Sequence, residues 1–388
     1  MSGAAVTFAL LALVVLVGLL GPVLSARARW RVPVVLGELL GGLLIGVSGL
    51  RLVDPAASDF RLLADIGFGL TMMVVGSRIP VRDAVVRSAA VRGLLGALAV
   101  GVASAVLGTG LGVLFGTGHG AVYAVLLASS SGALVLPMLP SARLKAASSA
   151  QLVAQIAIAD IACIVVLPLV IAPDRALPAA VGALAIAIAA VLLLLGLLRV
   201  GRTDLRRRLH AYSERRRFAL ELRFSLLALF ALAAIAQFAG LSIMLAGFAL
   251  GLVLSAIGEP HRLARQLFGI TEGFFGPLFF VWLGASLDLR AFVGHPLMIL
   301  LGVALGLAAV AAHLAARAAG LPWLQSVAAA GQLGVPVAAV ALGIQTGTLL
   351  PGEGSAILLG ALVTVGTSAA AIGALGRRAV PVGDGKPA

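Results

Sequence analysis

Cysteine is almost absent from this chain of 388 residues: Cys163 stands alone. Neither an intramolecular disulfide framework nor a cysteine-based metal cluster can therefore be built. Charge is scarce too, at 11% of residues against 61% hydrophobic ones, which leaves too little polar surface to cover a soluble globule of this length. The regular polar alternation of a closed membrane β-barrel is missing as well. No basic segment precedes the first apolar run, Ala4 to Leu24, which is long for a signal-peptide core. That run is read as a retained helix, with Ser25-Ala26 as the cleavage site under the opposite reading.

Long apolar runs are what the chain has in quantity, and they define an all-α polytopic membrane protein, since roughly 20 apolar residues in a helix cross a hydrocarbon core of about 30 Å. Thirteen transmembrane helices are expected, at about 4–24, 32–50, 62–77, 93–115, 121–140, 149–171, 178–198, 218–236, 239–257, 273–287, 296–316, 324–348 and 353–376. The whole chain, 1–388, reads as one integral-membrane transporter domain. Within it a first half (1–198), a basic connector (199–217), a second half (218–376) and a short tail (377–388) follow one another.

The net charge of +13 has a topological explanation. Odd-numbered loops and the C-terminal tail carry 23 of the 28 Lys and Arg residues, and even-numbered loops carry 4. Basic loops stay in the cytoplasm, so the N-terminus is expected outside and the C-terminus inside a cytoplasmic membrane. The connector "RVGRTDLRRRLHAYSERRR" joins two spans on that basic face, where anionic lipid accounts for its charge and no nucleic acid is expected. Glycine is abundant, with 48 residues, and "LGELLGGLLIGVSG" spaces Gly37 with Gly41 and Gly42 with Gly46 for close helix packing.

Two spans carry a breaking pattern at matching places in the two halves. The fifth reads "LLASSSGALVLPML", with Ser129, Ser130, Ser131 and Gly132 ahead of Pro137; the twelfth reads "AAAGQLGVPVAAVAL", with Gly331, Gln332 and Gly334 ahead of Pro336. Proline removes a backbone donor and glycine weakens a helix, so both spans are expected to be interrupted. The spans lie seven apart and therefore cross in opposite senses, as an inverted repeat requires. Paired interrupted helices are the sequence pointer to a secondary transporter's binding site.

Asp160 is the one charged residue between Ser149 and Ile171, about eleven residues from either end of its span. An ionised aspartate at that depth costs about 2.5–3.5 kcal/mol on insertion scales, so it is expected to face protein or a water-filled cavity. The structural reading is a protonated acid bonded to a neighbouring helix. Under the functional reading, burial favours the protonated form and a bare cation favours the ionised one, so proton and cation compete for one group. Glu38, near the cytoplasmic end of the second span, is expected to be structural or gating and to pair with Arg31 or Arg78. Asp65 reads as wetted near the outer interface, and Glu221 and Arg223 as snorkelling side chains. His313, deep in the eleventh span, is either a packing residue or a second titrating group.

The segment "RVPVVLGELLGGLLIGVSGL" resembles the second-span signature of the monovalent cation:proton antiporter superfamily, and its cation:proton antiporter-2 exchangers most of all. "ADIGFGLTMMVVG" is similar to that family's third span, and "LSIMLAGFALGLVL" and "FFGPLFFVWLGASLDL" to its ninth and tenth. The resemblance runs over residues 5–376. It implies a thirteen-helix antiporter with an inverted-repeat fold, usually a homodimer, in which a core of six helices moves against a dimerisation domain. It also implies two crossed interrupted helices, matching the fifth and twelfth spans, beside an ion-binding aspartate that matches Asp160. Ser130 and Ser131 fall on the family's Thr/Ser positions, and Ser129, Gly132, Gln332 and Gly334 complete the expected lining, with Pro137 and Pro336 as structural or gating residues.

Three departures stand out. Ala159 occupies the place of the usual second carboxylate or amide. His313 stands near the usual basic residue. The tail "VPVGDGKPA" leaves no room for a nucleotide-binding regulatory domain, so such gating would need a separate subunit. With one carboxylate, electroneutral exchange of one H⁺ for one monovalent cation is expected, with no cofactor and no metal beyond that cargo at Asp160. Titration of His313 would make the exchange electrogenic. An organic cation as cargo and a non-transporting sensor or subunit are the other readings. An intramembrane aspartyl protease needs two facing aspartates, and no other span carries an Asp at comparable depth, so no enzyme is expected.

Overall fold

The computed structural model describes residues 7–26, 34–79, 81–136, 138–139, 144, 146–173, 176–201, 220–258 and 261–378. Pro137, Arg31, most of the basic connector and the tail beyond residue 378 lie outside the described residues. Every regular element among them is a helix. In chain order these are α1 (Phe8–Gly18), α2 (Leu20–Ser25), α3 (Val34–Ile45), α4 (Ser58–Ser77), α5 (Ala84–Ser88), α6 (Ala90–Leu114) and α7 (Gly120–Ala128). Then come α8 (Gly132–Val135), α9 (Ala146–Ile171), α10 (Ala176–Gly201), α11 (Leu220–Phe238), α12 (Ile243–Ile257) and α13 (His261–Ile270). A π turn, Thr271–Phe275, leads into α14 (Gly276–Ser286), and α15 (Ala291–Gly294) and α16 (Leu297–His313) follow. A 3₁₀ segment, Leu314–Ala319, precedes α17 (Trp323–Ala329), α18 (Gly334–Thr346) and α19 (Glu353–Arg378).

Ten helical stretches among the described residues are long and apolar enough to cross a membrane. The chain is an integral membrane protein. The remaining expected spans are shorter: α3 has 12 residues, α12 has 15, and the fifth is split into the nine residues of α7 and the four of α8. The tenth starts earlier than expected, because the helix that begins at His261 runs through the π turn into α14 and carries Arg262 and Arg265 on its polar face.

The chain divides into two compact units. One comprises residues 1–82, 168–294 and 341–348; the other comprises 83–167, 295–340 and 349–388.

In the first unit the glycines of α3 serve two faces. Gly37 and Gly41 abut backbone atoms of Gly21 and Val17, while Gly42 and Gly46 abut Val281 and Ala285 of α14, so a Cβ at any of these positions would collide with backbone. Both GxxxG pairs are thus helix seams. Phe68 of α4 stacks on Phe279 of α14 with ring centroids 4.5 Å apart. Glu38 is buried, at 4% exposure. Arg78 lies 3.8 Å from Glu272 in the π turn and sits over the Phe268 ring, so its ion-pair partner is Glu272.

In the second unit, Val100, Val135, Leu152, Ile156, Ala312, Leu324, Ala328 and Ile372 form one buried apolar cluster. Glycines again set the spacing: Gly108 and Gly112 of α6 press on α7, and Gly302 and Gly306 of α16 press on α19. This unit holds both interrupted helices and Asp160.

Candidate functional site

The fifth span breaks where the sequence predicts, and its three serines show why. Serine side chains compete with the helix for backbone partners. Ser129 is extended, with ψ 147°, and its hydroxyl donates to the Leu126 carbonyl at 2.8 Å, closing the end of α7. Ser131 caps α8, its Oγ accepting from the Leu134 N–H at 3.4 Å. Ser130, between them, turns to His313: its Oγ lies 3.2 Å from Nε2. The His313 Nδ1 lies 2.9 Å from the Ala309 carbonyl, which can only accept, so Nδ1 carries a proton. In the neutral ring Nε2 is then the acceptor and the Ser130 hydroxyl the donor.

The twelfth span breaks between α17 and α18. Pro336 falls in the first turn of α18, where its missing N–H costs no helical bond. Gln332 lies in the gap, and Gly334 begins the new helix. The Gln332 peptide N–H donates to Thr364 Oγ1 at 3.2 Å, and its side-chain Nε2 donates to the Leu127 carbonyl at 3.4 Å. One residue of the second break thereby satisfies an orphan carbonyl at the end of the first broken helix. The two breaks also touch directly, because the Ser131 N–H donates to the Gly331 carbonyl at 2.8 Å. Ser368 of α19 donates to Ala328 at the end of α17, at 2.7 Å.

Asp160, on α9, is 5% exposed. Its Oδ2 accepts from the Gly132 N–H, the first of α8, at 3.1 Å. A carboxylate at the start of a helical segment meets the positive end of aligned peptide dipoles. A cavity of about 10 Å³, room for roughly one water, lies beside the second break and is lined by Leu126, Leu127, Gln332 and Pro336. The structure therefore gathers Asp160, Ser129, Ser130, Ser131, Gly132, Gln332 and His313 around two joined breaks. Glu38 belongs to the other unit. Thr364 and Ser368, which hold the second break from α19, are not discernible from sequence, since a hydroxyl in an apolar helix reads as ordinary packing.

This arrangement defines a class, the interrupted-helix antiporter fold. The solved structure of the sodium proton antiporter MjNhaP1 from Methanocaldococcus jannaschii shares it with a TM-score of 0.65 at 18% identity, over 95% of this chain and 97% of that one. Residues 10–376 match the family model described as sodium/hydrogen exchanger, transmembrane, and the chain belongs to that family of transporters. A protein named as a candidate Na(+)/H(+) antiporter, YjbQ of Bacillus subtilis, is 26% identical over 296 residues, which is 72% of this chain and 47% of that protein. The glutathione-regulated potassium-efflux system protein KefC of Cronobacter sakazakii is 31% identical over 277 residues, 69% of this chain and 43% of that protein. The chain thus spans less than half the length of these curated relatives in the matched regions.

Proposed function

We propose that this protein exchanges a monovalent cation, Na⁺ or K⁺, for H⁺ by alternating access, with both ions competing for Asp160. The observation that carries the reading is a buried carboxylate anchored by the Gly132 N–H at the break of an interrupted helix, in a chain of the exchanger family. One carboxylate oxygen is tied to the backbone. The other is left to take either a proton or a cation, which cannot both be held by the same lone pairs. Ser130 and the carbonyls freed at the two breaks supply neutral oxygen ligands to the cargo.

Exchange is electroneutral in this scheme. Ala159 contributes no second acid beside Asp160, and His313 keeps one tautomer through its bonds to Ala309 and Ser130. Flux in proteoliposomes that ignores an imposed membrane potential supports this stoichiometry, and voltage-dependent flux overturns it. The 23-to-4 bias of basic residues puts the N-terminus outside and the C-terminus in the cytoplasm. The same scheme has the protein work as a homodimer in the cell membrane.

The decisive assay is proton release from inside-out vesicles of an antiporter-deficient host on adding Na⁺, K⁺ or Li⁺. Wild type is compared with Asp160→Asn, whose amide oxygen still accepts from Gly132 but cannot ionise. Cation-evoked release abolished in the variant supports the reading and names the ion. No release with any of the three, from folded protein in the membrane, transfers the assignment to an organic cation or to a non-transporting subunit.

A further inference from the structure

A second titratable cluster lies in the same unit, where α7 and α19 begin. Glu353, the first residue of α19, is fully buried at 0% exposure. Its carboxylate accepts from the Tyr123 hydroxyl at 2.5 Å and from the Leu350 N–H at 2.8 Å. His119, immediately before α7, places Nδ1 2.7 Å from Oε1 and 3.0 Å from Oε2 of Glu353. A ring nitrogen and a carboxylate oxygen at that distance would repel as two bare acceptors, so a proton lies between them. Glu353 therefore meets three donors from two separate stretches of chain. Buried carboxylates of this kind are costly to leave unpaired.

Only the histidine reaches solvent: its side chain is 25% exposed, while Tyr123 and Glu353 are not exposed at all. His119 can thus exchange protons at Nε2 while Nδ1–H stays on the carboxylate. Uptake of one proton at Nε2 turns a neutral donor into a charged one, and charge-assisted hydrogen bonds are roughly twice as strong. The neighbouring elements bring no competing charge to this end. On α6 the only ionisable residue is Arg92, at the opposite end, and its near end contributes Gly108 and Gly112. On α16 it is His313, also at the far end, with His295 two residues ahead of the first turn; on α19 the next are Arg377 and Arg378, at its other end.

We propose that His119, Glu353 and Tyr123 form a second proton-binding site, separate from Asp160, which ties the starts of α7 and α19 together more tightly when His119 is charged. Both helices lead to the candidate site. The nine residues of α7, about 13 Å of helix, end at the serine break, and α19 carries Thr364 and Ser368 against the other break. The proposal rests on the antiporter reading only for placing this cluster on the outer face, where it makes the protein responsive to external pH. Loading at low pH would hold the two helix starts together, and loss of that proton as pH rises would loosen them.

Hydrogen–deuterium exchange tests this without requiring transport. Purified protein is compared at pH 5.5 and 8.0, corrected for intrinsic exchange, in peptides covering 117–126 and 350–358. Wild type is run beside His119→Gln, an uncharged donor, His119→Lys, a fixed charge, and Asp160→Asn. In wild type and Asp160→Asn, protection in both segments falls about fivefold from pH 5.5 to 8.0, the ratio expected when a charged hydrogen bond becomes a neutral one. The fall vanishes in His119→Gln and in His119→Lys, the latter staying protected at both pH values. Protection in wild type that ignores pH, or a fall that persists in His119→Gln, overturns the proposal. Because Asp160→Asn keeps this response, failure of the vesicle assay and failure of this one are separate results.

Discussion

Replacing Thr364 by valine isolates a single hydrogen bond at the second break. Thr364 is 0% exposed, and its hydroxyl accepts from the Gln332 N–H at 3.2 Å and donates to Ala361 at 2.7 Å. Valine fills nearly the same volume, so packing on α19 survives and the loss is confined to the acceptor. The Gln332 N–H is then buried without a partner, at a cost of about 1–3 kcal/mol. With an unfolding entropy of about 2.1 cal/mol/K per residue, a fold of this size should melt about 1–4 °C lower. The Gln332 peptide also carries the side chain that caps α7, so transport should show a several-fold rise in cation KM with little change in kcat. Thr364→Ser keeps the acceptor and should retain a wild-type KM. The reasoning is refuted if Thr364→Val matches wild type in both melting and KM, or if the serine variant loses cation affinity as the valine one does.

Two further predictions concern the unit without the carboxylate. Truncating Phe279 to alanine removes the stack on Phe68 and leaves a cavity in a fully buried place. The expected cost is about 3–5 kcal/mol, seen as a lowered melting temperature, and an unshifted melt would contradict the packing. Gly42→Val drives a branched side chain into the Val281 carbonyl, and the α3–α14 seam cannot relax around backbone. Folded protein recovered by size-exclusion chromatography should fall sharply, whereas valine at solvent- or lipid-facing Gly101, which has open space beside it, should be tolerated.

The parts of this architecture legible in sequence are those written by local chemistry. Serine, glycine and proline break helices wherever they cluster, so Ser129–Gly132 and Gly331–Pro336 announced both interruptions, and a lone carboxylate in an apolar run announced Asp160. Small residues four apart announced the α3 seams. The illegible parts pair residues remote in the chain. Thr364 meets Gln332 across 32 positions and Tyr123 meets Glu353 across 230, and nothing in an isolated threonine or a glutamate at a helix start marks such a partner. Arg78 was expected near Glu38, its neighbour by topology, but the π turn brings Glu272 to it instead. The early start of the tenth span was hidden for a related reason, because Arg262 and Arg265 read as loop when they ride on one polar face of a helix.

The bond from the Ser131 N–H to the Gly331 carbonyl joins two peptide groups, with no side chain involved. Side-chain replacement can reshape what surrounds that bond without removing either end of it. The two broken helices therefore share a fastening that drifts little as residues around it diversify, and cargo preference can change over evolutionary time on a fixed pivot. A proline at position 131, which deletes the N–H, is the one kind of substitution that would unpin it.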